Sequence, residues 1–179
     1  MGMSFAPLVA AAEPVTHCSP NEQPLFSCST GKKTVSLCGT PASGTPKALA
    51  YRFGVPGKVE NEFAAAPGNP NRFHTTVITL APSAQVGEVW FDRGPVRYVM
   101  NSCMGGDCSL TAALSVLKSG KIIAKMACKD DDNLVGEFSS DLVHFGDSPK
   151  SIRPGTPLLI VNDDTDNEAD KVFAAPGAK

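Results

Sequence analysis

The feature of this 179-residue sequence that most restricts its fold is a series of short β-prone runs separated by turn-forming residues. Residues 24–29 and 34–38 flank Thr30-Gly31-Lys32-Lys33, an arrangement typical of a β-hairpin. Similar runs follow at positions 48–53, 58–63, 73–80, 87–92, 95–100, 110–117, 121–128 and 158–161. About eight to ten short strands joined by tight turns predict a mainly β fold, an antiparallel barrel or sandwich.

One stretch departs from the strand pattern. After the acidic run 130–132, apolar residues recur at helical spacing up to position 145, which predicts one short helix over about 135–145. The sequence then returns to an extended apolar segment, 158–161, before an acidic stretch. We therefore expect a flexible leader or residual signal peptide at 1–17, a single disulfide-linked β domain at 18–161, and an acidic loop with a loose tail at 162–179.

The six cysteines predict a disulfide framework, because their number is even and the chain has the features of an exported protein. Cys103 and Cys108 bracket Met104-Gly105-Gly106-Asp107, and the two glycines allow so short a loop to close, so we expect these two to be bridged. The other four should tie the N-terminal hairpin to the C-terminal part of the sheet, in a pairing that the sequence does not decide. They are Cys18, Cys28, Cys38 and Cys128.

The first residues have the composition of the end of a signal peptide. An apolar stretch from Phe5 leads into Ala10-Ala11-Ala12-Glu13, where small residues favour cleavage after Ala12. The alternative is an alanine-rich leader without a targeting role. Because disulfides persist in oxidising compartments, the leader and the cysteines together predict a periplasmic or secreted protein. No run approaches the roughly 20 apolar residues of a membrane-spanning helix.

The net charge of −2 conceals an asymmetry, since residues 1–129 are basic and residues 130–179 are acidic. Either the two parts present different partner surfaces, or the acidic end folds back on the basic body. The basic residues are scattered, with few aromatic residues among them, so the sequence does not predict a nucleic-acid partner. It does not decide the oligomeric state.

No catalytic, cofactor or metal site is predicted. His17, His74 and His144 lie far apart, and the cysteines lack the C-x-x-C spacing of zinc or thioredoxin-like redox sites. Ser139-Ser140-Asp141 with His144 lacks the G-x-S-x-G elbow of a serine hydrolase. The acidic run 163–170 lacks the glycine and closing glutamate of an EF-hand loop, which favours a solvated loop over a calcium site.

The glycine-rich segment between Cys103 and Cys108 is the sequence's clearest candidate for recognition. A small disulfide ring would make it a rigid, exposed tip that loses little entropy on docking, although it could equally be a bridged turn without a partner. We group with it an arginine- and tyrosine-containing segment. The candidate recognition residues are Met104, Gly105, Gly106, Asp107, Arg93, Arg97 and Tyr98.

The segment 26–38, with Tyr51-Arg52-Phe53-Gly54 and the later 119–121 and Cys128-Lys129, resembles uncharacterised exported proteins of Gram-negative bacteria. More distantly, the order of a hairpin cysteine, short strands and a late cysteine is similar to the periplasmic C-type lysozyme inhibitors. That resemblance implies a small disulfide-closed antiparallel barrel with an inhibitory Ser-Gly-x-x-Tyr loop. The nearest stretch, 93–98, has Arg93 in place of the serine and one additional residue before Tyr98.

The sequence thus predicts a non-enzymatic periplasmic or secreted binding module that recognises a protein or envelope component. A lysozyme-inhibitor-like role is its most specific form. A second hypothesis is an enzyme acting on cell-wall or carbohydrate material, which would need Glu60 and Glu62, or Asp141 and His144, to converge in a cleft. A third is a structural or immunogenic envelope protein.

Overall fold

A computed structural model of the chain describes residues 15–43, 46–81, 83–105, 108, 110–129, 134–136, 138 and 159–161. These residues form two sheets. The first is antiparallel, in the order β1-β2-β3-β4, and consists of Gln23–Ser29, Thr34–Thr40, Ala48–Val55 and Lys58–Ala65. The second has the order β10-β5-β6-β7-β8-β9. Its strands are β5 Phe73–Ala81, β6 Ala84–Arg93, β7 Val96–Gly105, β8 Ala112–Lys118, β9 Lys121–Ala127 and β10 Leu159–Val161.

The predicted β fold is confirmed, but the two sheets are separate and neither closes on itself, so the barrel alternative is wrong. The hairpin predicted around residues 30–33 is present, and so are the hairpins predicted for the runs 48–53 with 58–63 and 110–117 with 121–128. The turns are shorter than the segments 54–57 and 118–120 that the sequence indicated, since each contains two residues. The last strand differs from expectation, because β10 pairs with β5 in parallel.

A single apolar core lies between the sheets. The inward residues of both sheets contribute, and a β-bulge between Pro24 and Phe26 allows Leu25 and Phe26 to be buried together. Full burial of each large side chain contributes about 1.5–3 kcal/mol. The largest core members are Leu25, Phe26, Leu37, Leu49, Tyr51, Phe73, Phe91, Met100, Leu114 and Phe138.

No helix occurs among the described residues. Val135, at the start of the predicted helix, instead forms an antiparallel bridge with Ser27, with both backbone N–O distances at 2.8 Å. Gly136 has a φ of 75°, and Phe138 stacks on Phe26 with ring centroids 4.6 Å apart. The apolar spacing that indicated a helix therefore reflects anchoring of an extended segment along β1. Residues 137 and 139–145 lie outside the described residues.

All six cysteines are paired, as Cys18–Cys38, Cys28–Cys128 and Cys103–Cys108. The predicted small ring is confirmed, and Cys28–Cys128 links the N-terminal hairpin to the end of the second sheet as expected. Cys18–Cys38 differs, because it fastens the segment before β1 to β2. In the part of the chain that is described, no helix is long and apolar enough to cross a membrane.

The segment fastened by Cys18 lies over the outer face of the first sheet. The His17 backbone N–H donates to Ser36 Oγ at 3.0 Å, and Ser27 Oγ donates to the Val15 carbonyl at 3.0 Å. Arg52 donates to both carboxylate oxygens of Glu22, at 2.6 and 2.9 Å. This segment supplies partners for polar side chains that the sheet would otherwise bury unpaired.

The hairpins that end in β4 and β9, one edge strand of each sheet, share one irregularity. Each has a two-residue turn, and in each the register shifts a short distance beyond it, between Phe53 and Gly54 and between Val116 and Leu117. The extra residue lies on the edge strand in both cases: Glu60 on β4 and Ile123 on β9. Such bulges bend and interrupt an edge.

Candidate binding site

One row of cross-strand neighbours carries three cationic residues. Arg93 on β6 pairs with Val96 on β7, Val96 pairs with Lys118 on β8, and Lys118 pairs with Lys121 on β9. Directly opposed residues share a face of a sheet, so Arg93, Lys118 and Lys121 project on the same side. All three are exposed. We call Arg93, Val96, Lys118 and Lys121 the basic row.

The basic row lies where four strands meet two tight turns, and these turns are held together. The Ser119 backbone N–H donates to the Pro95 carbonyl at 3.1 Å. Gly94 and Gly120 have φ values of 57° and 74°, and Ser119 adopts a φ of 50° although it is not glycine. A left-handed conformation at such a residue is uncommon and is sustained here by the hairpin and this hydrogen bond.

A shallow open cleft of about 330 Å³ adjoins the turns. Arg97 lies in its lining, where Nε and Nη2 donate to the two carboxylate oxygens of Asp92 at 2.9 and 3.3 Å. The Arg97 guanidinium also lies 5.3 Å from the Trp90 ring centroid. Asp92 lines the cleft as well, and the other lining residues are Gly94, Pro95, Leu117, Ser119 and Gly120.

An apolar strip borders the basic row on its core side. The next row on the same face pairs Phe91 with Tyr98, Tyr98 with Val116, and Val116 with Ala124. Phe91 is buried, whereas the other three are half-buried. The inner face of the second sheet is thus not fully covered at this end, and apolar surface meets exposed cations.

Stacked aromatic rings hold this strip in place. The Phe91 ring stacks on Phe63 at 4.1 Å and on Tyr98 at 5.0 Å, with interplanar angles of 13° and 7°. Arg93 extends the stack, since its guanidinium lies 5.8 Å from the Phe63 centroid. Arg93 also donates to Asn61 Oδ1 at 2.8 Å and to the Glu62 carbonyl, which connects the basic row to β4 of the other sheet. Little side-chain entropy remains for Arg93 to lose on binding.

Tyr51 brings a buried hydroxyl to the same cluster. Its ring lies 4.8 Å from Phe91 and 6.1 Å from Tyr98, and its hydroxyl forms no hydrogen bond with any described residue. Burial and the neighbouring Tyr98 raise the pKa of Tyr51 far above its ordinary value, although the Arg93 charge opposes them. The phenol is therefore neutral at physiological pH and can both donate and accept a hydrogen bond.

The structure separates the predicted recognition residues into two groups. Arg93 ends β6, and Arg97 and Tyr98 lie near the start of β7, whereas Met104 and Gly105 lie at the other end of β7, about 23 Å from Arg97 at the rise of an extended strand. Gly106 and Asp107 lie outside the described residues. Gly105 has a φ of 113°, and a side chain there would collide with the Ser83 carbonyl. Arg93 belongs to the basic row and Tyr98 borders it on the same face, whereas Arg97 projects from the opposite face of the sheet, over Trp90.

The carboxylates considered for glycoside chemistry are each engaged with a different cation. Glu60 lies 2.5 Å from Lys33 Nζ, whose hydrogen bond lowers the pKa of that carboxyl, and Glu62 lies 2.8 Å from Arg52 Nε. His17 Nε2 is 3.1 Å from the Gly54 carbonyl, and His74 stacks on Trp90 at 5.5 Å. Among the described residues, no three histidine, cysteine, aspartate or glutamate side chains converge as a metal site would require. The segments 139–144 and 163–170 lie outside the described residues.

Sequence reasoning missed Lys118, Lys121 and Tyr51. The sequence could have predicted that the two lysines are neighbours. A two-residue turn at Ser119-Gly120 places the residues on either side of it directly opposite each other. Comparisons with protein-family models, with curated proteins and with solved structures found no match to this chain.

Proposed function

We propose that this chain is an exported, non-enzymatic binding module that recognises an acidic protein partner through the basic row. The observation that carries the proposal is the alignment of Arg93, Lys118 and Lys121 across three strands of one sheet, with all three side chains exposed. Cations at a fixed spacing attract a complementary acidic surface and accelerate its association.

The apolar strip beside the row supports recognition of a protein rather than capture of a simple anion. Protein interfaces combine a desolvated aromatic or apolar centre with a polar rim. Here half-buried Tyr98 and Val116 would form the centre, and the cations would form the rim. The stacked rings and linked turns would let the surface dock without large rearrangement.

Three disulfides support export to the periplasm or beyond the cell, since such bonds persist where the environment is oxidising. Protein purified from a periplasmic fraction without reductant should have three intact bridges and an N-terminus near Glu13. Free cysteines in that material, or a retained leader, would contradict the export proposal while leaving the basic row to be tested separately.

The binding proposal is tested with fluorescently labelled peptides in which glutamates alternate with leucines. The double variant K118E/K121E should lose at least tenfold in affinity, because it reverses two charges of the row. A matched variant, K47E/K58E, makes the same charge change at two exposed lysines, one just before β3 and one in β4, and should bind nearly as well as the wild type. Equal losses of affinity in both variants would mean that binding depends on net charge alone. That result would contradict the assignment of the binding site to the basic row.

Two further measurements make this test more specific: a series of salt concentrations and a second peptide. Binding of the acidic peptide should weaken as salt is raised, and a peptide with serines replacing the leucines should bind more weakly than the original. The lysozyme-inhibitor-like alternative requires instead that the protein bind a cationic enzyme, which like charges at this row would oppose. Stoichiometric inhibition of a lysozyme, unaffected by K118E/K121E, would favour that alternative.

A further inference from the structure

The first sheet has a cross-strand row that contains one half-buried aromatic residue. Phe53 on β3 pairs with Val35 on β2 and with Asn61 on β4. Directly opposed residues share a face of a sheet, and Phe53 packs against the core between the sheets, so all three lie on the inner face. We call Val35, Phe53 and Asn61 the Phe53 row.

Contacts between the sheets place the Phe53 row beside the basic row. Phe63 of β4 stacks on Phe91 of β6, with ring centroids 4.1 Å apart. The next residues on the same faces, nearer the turns, are Asn61 on β4 and Arg93 on β6. Arg93 Nη1 donates to Asn61 Oδ1 at 2.8 Å, so the two rows meet at this point. They therefore form the two walls of one end of the sandwich.

Apolar side chains from both sheets are partly accessible at this end. Phe53 of the first sheet is half-buried, and so are Tyr98 and Val116 of the second. Phe53 and Tyr98 both pack against the core, so their accessible surface continues directly from it. A partner that touched only one sheet would leave part of this apolar surface in water, and that surface contributes to binding only when it is covered.

Lys33 supplies a cation beside the Phe53 row. It lies two residues before Val35, and its Nζ is 5.2 Å from the centroid of the Phe53 ring. Lys33 also pairs with Glu60, but the two side chains are 39% and 34% exposed, and ion pairs in such positions contribute little. A carboxylate of a partner can therefore approach Lys33 without breaking a strong contact. Cations thus lie on both sides of the apolar surface, Lys33 on one sheet and Lys118 and Lys121 on the other.

We infer that the acidic protein partner binds across both sheets, through Phe53 and Lys33 as well as the basic row. This inference rests on the proposed function and adds the residue pattern of the partner, namely acidic residues on both sides of an apolar centre. Three strand spacings separate Arg93 from Lys121 by about 14 Å, and the packed sheets add about 10 Å. An extended segment of about seven residues spans that distance.

Two labelled peptides of identical composition test the pattern on the disulfide-intact protein. The flanked peptide has three glutamates on each side of a Leu-Phe-Leu centre, and the block peptide has Leu-Phe-Leu at one end followed by six glutamates. The flanked peptide should bind at least fivefold more tightly, because only its acidic residues can reach the cations of both sheets. In a nitrogen-15 NMR spectrum it should shift the backbone amide signals of Lys33 and Phe53 together with those of Val96 and Lys118.

Two variants of the first sheet, each with a matched control, assign the effect to its residues. K33A should weaken binding of the flanked peptide at least threefold, whereas K32A removes the same charge from an exposed neighbour and should have little effect. F53A should weaken binding at least fivefold. Its control is V59A, because Val59 is 42% exposed and pairs with Gly54, on the outer face of the same hairpin. K33A keeps the test decisive even if F53A folds poorly.

The outcomes separate this inference from the proposed function. If K118E/K121E weakens binding of both peptides while K33A and F53A bind as the wild type does, the site is confined to the second sheet. The inference is then overturned and the proposed function stands. Equal affinity of the wild type for the two peptides would also overturn the inference. If the wild type binds neither peptide, the proposed function is wrong, and this inference fails with it.

Discussion

Cys28 and Cys128 join the two sheets across a sequence separation of 100 residues. Cys28 lies in β1, an outer strand of the first sheet, and Cys128 directly follows β9, an outer strand of the second. The bond fixes one side of the sandwich, and Arg93 connects the sheets near β4 through Asn61. Together with the shared core, these connections position the basic row relative to the first sheet.

Removing the bond between the sheets should cost more stability than removing the small ring. Loop-closure entropy predicts about 4–5 kcal/mol for C28A/C128A and about 2 kcal/mol for C103A/C108A, because the enclosed segments differ greatly in length. Urea unfolding of the two double variants measures the difference. Similar losses in both would mean that the long loop retains structure when the protein unfolds.

The Arg52–Glu22 pair should make stability depend on pH. Burial alone would raise the pKa of Glu22, but hydrogen bonds from Arg52 and Ser19, with the Arg52 charge, bring it below its ordinary value of 4.5. The unfolded state therefore takes up the proton first as pH falls, so this contribution is complete above about pH 4.5 and is lost below it.

E22Q should therefore unfold more easily than the wild type at neutral pH, by about 1–3 kcal/mol, and the difference should shrink as the pH falls below 4.5. Chemical unfolding at several pH values measures both effects. E60Q is the control, because the Glu60–Lys33 pair is exposed and its removal should have little effect. A difference between E22Q and wild type that is constant down to pH 3 would contradict the argument.

Gly87 should not tolerate even a methyl group. A Cβ at this position would lie 1.5 Å from the Phe138 carbonyl oxygen, so the segment that bears Phe138 would have to move. We expect G87A to lower the free energy of unfolding by about 3 kcal/mol or more.

G57A is the comparison for this effect. Gly57 has a φ of 80° and no neighbour within 4 Å, so alanine there should cost about 1 kcal/mol through backbone strain alone. Equal losses in the two variants, measured by thermal and urea unfolding, would show that the contact between β6 and Phe138 is dispensable.

The Tyr51 hydroxyl should contribute nothing to stability. It is buried without a hydrogen-bond partner among the described residues, a state that costs about 1–3 kcal/mol. Y51F keeps the tilted ring contact with Phe91 and should leave stability unchanged or increase it, and Y98F serves as the control from the same cluster. A clear loss of stability in Y51F would mean that the hydroxyl has a partner in solution.

Local patterns in the sequence were sufficient for the strands and for one disulfide. Alternating residues such as Tyr51 and Phe53, with turns such as Ser119-Gly120, identify hairpins because strand and turn chemistry act over a few residues. The Cys103–Cys108 ring followed from the same local reasoning. Long-range pairing was not accessible in this way, since nothing near Cys18 specifies Cys38 rather than Cys28 as its partner.

The helix prediction was wrong at its start for a physical reason. Leu134, Val135 and Phe138 satisfy helical spacing, yet Val135 pairs with Ser27 and Phe138 packs on Phe26. The contacts with β1 outweigh the intrinsic helix propensities of these residues, which differ by only a few tenths of a kcal/mol per residue. The basic row was missed for a related reason, because Arg93 meets Lys118 and Lys121 only through the pairing of four strands.

The bulges at Glu60 and Ile123 affect whether copies of this protein associate through their edge strands at high concentration. A straight, unbroken outer strand offers its backbone groups to any similar strand, and one molecule can then extend the sheet of another indefinitely. Here each outer hairpin is bent shortly after its turn, beside charged side chains such as Lys58 and Lys121. Strands β4 and β9 should therefore add poorly to the edge of another copy of the protein, even at high concentration.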